Sequence, residues 1–226
     1  MFNGSAPSSR ICALAIGAHP DDPVLSIGGL LAQLSETGHQ VVVLTLSSGE
    51  LTGNPSTRET EEEEAVRRLG ASVAFARLPD GRVTVRDAIA AIDEVVHEYN
   101  PAIALVHSAN DTHQDHVAAF EAAIVSCRKV PTLLTYESPS SFGFEPTVTL
   151  DVTNVWERKV HALKAYESQV DSRDLLFWVT ATANYRAWPR HVGALCEGLR
   201  LRHSGFLPVT HAPPSRAAAA GTGRVC

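Results

Sequence analysis

The sequence predicts a single α/β domain, a Rossmann-like and largely parallel β-sheet flanked by helices. Three observations predict it. Strand-length apolar runs alternate with helix-length amphipathic segments four times in the first half of the chain. The first run, Ile-Cys-Ala-Leu-Ala-Ile at residues 11–16, is apolar at every position, as a strand covered on both faces is. A length of 226 residues with 44% hydrophobic content suits one domain with a sizeable core.

In chain order, residues 11–16 are the first strand and 23–36 the first helix, closed by Gly38. Residues 41–46 are the second strand, with a loop over 47–55. Ser56 opens the next helix with Glu59 three residues on, the S-x-x-E capping-box pattern. Glu63 with Arg67 and Glu64 with Arg68 make i,i+4 pairs, so the acidic run 59–64 is expected to be a solvated face and not a metal cluster. Residues 72–78 are the third strand. Val85, Ile89, Ile92, Val96 and Tyr99 fall at helical spacing after it. Residues 103–107 are the fourth strand, and the following helix carries Val117, Phe120, Ile124 and Cys127 on one face. Residues 131–136 and 147–152 add two strands of undetermined direction. Helices around 155–166 and 189–202 complete a domain expected over residues 10–209. Residues 1–9 and 210–226 read as disordered ends. The weakly periodic segment 171–189 reads as a substrate lid.

A net charge of −6 without any Lys/Arg block argues against nucleic acid or an anionic membrane surface as partner, since both need clustered positive charge. No apolar run is long enough to span a bilayer. Residues 11–18 resemble a short signal-peptide core after Arg10, but they run into His-Pro-Asp-Asp and not a small-residue cleavage site. Cys12, Cys127, Cys196 and Cys226 are far apart and contain no C-x-x-C pair. They read as reduced thiols of a cytoplasmic protein. The oligomeric state is not legible.

In a parallel sheet, ligand chemistry gathers beyond the carboxyl ends of the strands. The segments there are His19-Pro-Asp-Asp22, Ser47-Ser-Gly-Glu50, Pro79-Asp-Gly81 and Asp111-Thr-His-Gln-Asp-His116. In Ala18-His-Pro-Asp-Asp22 an imidazole and a carboxylate three residues apart can reach one metal ion from the same turn. Asp22-Pro23 also makes a good N-cap followed by proline at the first helical position, and both readings stand. In His113-Gln-Asp-His116 the histidines share one side of a helical turn; capping from Thr112 is the alternative. The first turn lacks G-x-G-x-x-G, and Gly28-Gly29 lies too far into the helix for a phosphate loop.

With these motifs the sequence resembles the LmbE-like or PIG-L-like zinc-dependent de-N-acetylases over most of residues 11–202. Supporting positions are Gly49-Glu50, Arg58-Glu-Thr-Glu61 with Ala65 and Leu69-Gly70, Leu78-Pro-Asp-Gly81 and Lys164-Ala-Tyr-Glu-Ser-Gln169. The resemblance implies a hydrolase that removes the acetyl group from an N-acetylated aminosugar conjugate. It implies His19, Asp22 and His116 as metal ligands and Asp21 as the general base acting on metal-activated water. It makes His113 the stabiliser of the carbonyl oxygen or leaving amine, oriented and kept charged by Asp115. Glu50, Arg58 and Asp80 would line the substrate pocket. Zn²⁺ suits two imidazoles and a carboxylate with a position left open; Fe²⁺ or another divalent ion would also bind. Either Asp21 or His113 protonates the amine. Two positions depart from the family's usual pattern, with Pro23 where a Glu is usual and Tyr166 where a His is usual. A thiol-conjugate or other amide hydrolase and a non-catalytic carbohydrate-binding relative are the alternatives.

The remaining histidines (His39, His97, His161, His191, His203, His211) read as surface or capping residues. His107, ending the fourth strand, reads as a structural histidine with support of the site as its alternative. Trp156, Trp178 and Trp188 read as core or pocket wall.

Overall fold

Strand β1 (Cys12–Gly17) is buried at all six positions and lies in the middle of a seven-stranded sheet of order β3-β2-β1-β4-β5-β7-β6. The protein is described by a computed structural model over residues 10–169, 174–188 and 193–204. From β1 the chain passes through α1 (Asp22–Glu36), β2 (Gln40–Ser47), α2 (Pro55–Arg68) and β3 (Ser72–Leu78) toward one edge. It then returns through α3 (Val85–Tyr99) to β4 (Ile103–His107), on the other side of β1. Helix α4 (Gln114–Ser126) and β5 (Thr132–Tyr136) follow. All five of these strands are parallel. The strand order therefore reverses between β1 and β4, and a crevice opens beyond their carboxyl ends at such a switch point.

The far side is antiparallel. Strand β6 (Val148–Asp151) is followed by a 3₁₀ turn (Thr153–Val155), α5 (Trp156–Leu163) and α6 (Leu175–Ala187), then β7 (Cys196–Ser204). Strand β7 pairs antiparallel with both β5 and β6. Alternation along the strands divides the core in two. Ala15, Val41, Val43 and Leu105 face α1, α2, α5 and α6, while Leu14, Ile16, Val42, Leu44, Ala104 and Val106 face α3 and α4.

The expected elements over residues 11–107 are all present, and four expectations are corrected. The helix expected at 189–202 is strand β7 from Cys196, with 189–192 outside the described residues. Without it the edge of β5 would leave a row of unpaired backbone groups, and pairing outweighs local propensity. In the segment read as a lid, Leu175–Ala187 forms a helix that buries Leu175, Val179, Ala183 and Ala187 at i,i+4 spacing against the core. Helix α2 is capped by Asn54, whose side chain accepts from Thr57 N–H, and not by Ser56. Glu64 pairs with both Arg67 (2.8 Å) and Arg68 (2.7 Å), leaving Glu63 out of that pairing. Helix α4 buries an alanine face (Ala118, Ala119, Ala122, Ala123) and leaves Ile124 at the surface, because small residues let the helix approach the sheet closely.

Helix α1 breaks its geometry at Ile27 (φ −131°, ψ 20°). The freed N–H groups of Gly29 and Leu30 donate to the two carboxylate oxygens of Glu197, both at 2.8 Å. Lys159 pairs with the same carboxylate at 2.7 Å, so a buried ion pair holds the kink. No helix among the described residues is long and apolar enough to cross a membrane. Cys12, Cys127 and Cys196 are buried and free. The two ends read as disordered lie outside the described residues.

Candidate active site

Beyond β1 the chain turns through His19 and Pro20 into α1, and the turn depends on Gly17, where a Cβ would stand 2.6 Å from the Pro23 ring. Asp21 takes a left-handed conformation, φ 99°. For a residue other than glycine this costs roughly 1–3 kcal/mol and persists only where the surroundings over-determine it. Asp22 is the first residue of α1, but its carboxylate does not cap the helix: Oδ2 turns back to accept from His19 N–H at 2.8 Å. The competition between capping and the site is thereby resolved in favour of the site.

Asp22 Oδ2, His19 Nδ1 and His116 Nε2 form a triangle with edges of 3.3, 3.3 and 3.5 Å. A tetrahedral zinc ion with bonds of about 2.0–2.1 Å requires ligand separations of roughly 3.3–3.4 Å. Each imidazole spends its other ring nitrogen on carboxylates. His19 Nε2 lies 3.1 Å from Asp80 Oδ1 and 3.3 Å from Asp115 Oδ2, and His116 Nδ1 lies 3.2 Å from Asp111 Oδ2. That arrangement orients metal-ligating histidines. Residues, spacing and supports all fit a divalent ion.

Two of those supports, and Glu50, differ from the sequence expectation. The Asp115 carboxylate, fully buried, meets His19 and the N–H groups of Gly81 (2.7 Å) and Val83 (3.2 Å). Its link to His113 is only the backbone N–H donating to His113 Nδ1 at 3.3 Å. Asp80 holds His19 as well as lining the cavity. Glu50 is exposed and does not line the cavity; it accepts from Asp80 N–H at 2.8 Å and so secures the loop that carries Asp80. Arg58, 2% exposed, does line the cavity. Its guanidinium donates to Pro20 O (2.7 Å), Asp21 Oδ2 (3.3 Å) and the Thr52 hydroxyl. Gly49, with φ 66°, packs directly on that guanidinium, where a Cβ would stand 2.9 Å from Cζ.

Burial and the neighbouring Asp22 charge push the Asp21 carboxyl up to about 7, against the pull of Arg58. Burial opposes ionisation of Asp22 too, but the His116 and His107 imidazoles outweigh it and hold the group well below the usual range. Two adjacent carboxyls are thus driven apart, one toward a base that takes up a proton near neutrality and one toward a permanent anion. His113 is lowered by burial and by His19 and His116, and Asp115 pushes it up less strongly. Because Nδ1 accepts from Asp115 N–H, neutral His113 carries its proton on Nε2.

Three contributors were missed or misread in the sequence. Asp111 accepts from the Ser138 and Ser140 hydroxyls (both 2.6 Å), the Ser141 hydroxyl (2.9 Å) and His113 N–H (2.9 Å). Its signal was a further carboxylate in the loop already marked as polar. His107 is fully buried, stacks on His116 with ring centroids 3.9 Å apart, and lies 3.2 Å from Asp22 Oδ2. Glu62, expected in solvent, is fully buried beneath Asp21. The signal there was the inward stripe of α2: Ala65, Val66 and Leu69 extend backward at helical spacing through Glu62, Glu61 and Arg58.

The cavity above the triangle measures about 350 Å³. Leu51 and Thr52, Pro139 and Ser140, and Leu175 line it from three separate segments.

Residues 14–127 match the PIG-L family, described as GlcNAc-PI de-N-acetylase. The uncharacterized deacetylase YaiS of Escherichia coli K12 is 33% identical over 180 residues, covering 73% of this chain and 95% of that protein. The 4-oxalmesaconate hydratase of Pseudomonas putida KT2440 is 27% identical over 190 residues, covering 70% and 73% respectively. Among solved structures, the conserved protein TT1542 of Thermus thermophilus superposes with a TM-score of 0.77 at 26% identity. That match covers 92% of this chain and all of the other.

Proposed function

Because this chain belongs to the PIG-L (LmbE-like) family of de-N-acetylases, we propose that it is a metal-dependent hydrolase that removes the acetyl group from an N-acetylated aminosugar conjugate. The observation that carries this reading is the triangle of His19 Nδ1, Asp22 Oδ2 and His116 Nε2, with each imidazole backed by carboxylates. A divalent ion held there, zinc by preference and iron(II) as the alternative, would supply Lewis acidity to water and to the amide carbonyl. Asp21, buried and held near neutrality, takes the proton of the attacking water. His113 presents its Nε2–H to the carbonyl oxygen as negative charge develops there; one such donor is typically worth roughly 10²–10³-fold in rate. Asp21, having gained a proton, is placed to return it to the departing nitrogen, giving acetate and a free amine.

The P. putida relative suggests a second reading, hydration of an anionic substrate. The lining favours the amide. Arg58 is the only permanent cation among the described residues around the cavity, and its guanidinium is tied to Pro20, Thr52 and Asp21. Asp21, Asp22 and Asp80 line the same space, which suits a neutral amide and a cationic amine product better than a polyanion. The deciding experiment is acetate release by zinc-loaded protein across a panel of N-acetylated aminosugar conjugates, beside longer acyl chains and thiol-sugar conjugates. Acetate release from at least one sugar is expected. Absence of release from all of them would overturn the reading.

A further inference from the structure

We propose that Glu62, reaching in from α2 and held by Tyr166, is a positioning residue for Asp21: it fixes the Asp21 peptide in its left-handed conformation and so aims the carboxyl into the cavity. The inference rests on the hydrolase reading above.

Three donors converge on the Glu62 carboxylate. Asp21 N–H reaches Oε2 at 2.9 Å, the Thr45 hydroxyl reaches Oε1 at 3.2 Å, and the Tyr166 phenol donates to Oε2. Glu62, Thr45 and Tyr166 are each no more than 1% exposed, so no water competes for these bonds. Asp21 has two other anchors. Its carbonyl accepts from Leu25 N–H at 2.9 Å, and its side chain meets Arg58 at 3.3 Å. Neither acts on the N–H, which in a left-handed residue sets where the side chain leaves the chain. Without Glu62 that N–H would be a buried orphan, and the turn would relax to pair it elsewhere.

Tyr166 secures the arrangement from the opposite side. Thr45 is on β2 and Tyr166 follows α5, so the carboxylate is clamped between the sheet and a helix that does not itself contribute to the cavity. Pro23 offers no carboxylate beside the Asp pair, and Tyr166 donates to the one that α2 supplies.

The test compares wild type with Glu62→Ala, Glu62→Gln and Tyr166→Phe in three measurements: kcat and KM for acetate release, zinc affinity by chelator competition, and the Asp21 amide in a ¹H–¹⁵N spectrum. Glu62→Ala is expected to lower kcat on the order of 10²-fold, the scale of a misplacement of about 1 Å, with zinc affinity unchanged. Tyr166→Phe, the milder variant, should lose about tenfold through one charge-assisted bond. The Asp21 amide proton, far downfield against a carboxylate, should move upfield in Glu62→Gln. A kcat within about threefold of wild type in both Glu62→Ala and Tyr166→Phe, each folded, would overturn the proposal, since the expected losses are larger. So would zinc affinity falling in step with kcat, which marks a merely structural residue, or an Asp21 amide that does not move. If wild type releases no acetate, the hydrolase reading fails by itself, and the amide shift alone decides the Glu62–Asp21 contact.

Discussion

His116 Nδ1 lies 3.2 Å from Asp111 Oδ2, while Nε2 of the same ring faces Asp22 and His19. The ring is therefore held from behind by a carboxylate that three serine hydroxyls also hold. Replacing Asp111 by Asn should weaken zinc binding by about 10–100-fold, as loss of such a partner does elsewhere. Chelator competition on purified protein measures it. An unchanged affinity would show that the serines alone orient His116.

Asp21 and Asp22 are neighbours with opposite tasks, and substitution should separate them. Asp21→Asn is expected to retain zinc while kcat falls by roughly 10²–10⁴-fold. His116→Ala, which removes one corner of the triangle, should lose the metal as well. Metal content and turnover on the same preparations distinguish the two. Wild-type turnover in Asp21→Asn would end its assignment as general base.

The Lys159–Glu197 pair is a stability element outside the cavity lining. Glu197→Ala would strand a buried ammonium and two backbone N–H groups at the α1 kink. The expected cost is about 3–5 kcal/mol, read from urea denaturation. A loss below ~1 kcal/mol would mean that the kink closes without its carboxylate.

The cap of α2 offers a smaller contrast. Asn54→Ala should cost about 1 kcal/mol by removing the acceptor for Thr57 N–H. Ser56→Ala, at the position that the S-x-x-E pattern selects, should stay within ~0.5 kcal/mol. Thermal or urea unfolding of the two variants measures both. The reverse order would restore the capping box.

The sequence by itself determined the four parallel strands β1 to β4, because strands buried on both faces must be apolar throughout and the helices between them must keep a 3.6-residue stripe. It also determined which loops gather at the site. Polar loops at the carboxyl ends of β1 and β4 can converge only at the switch point, and His19, Asp22 and His116 do meet there. Only the tertiary structure decided which atom faces which. Asp115 turns to His19 and not to His113, since one rotation of a side chain within a short loop separates the two and no periodicity encodes it. The same holds for β7, whose residues become a strand because β5 offers an unpaired edge. Glu62 shows the limit most directly. In the string it is one of the five glutamates between residues 59 and 64, and burial beneath Asp21 follows only when α2 docks against β2 and Tyr166 closes over it.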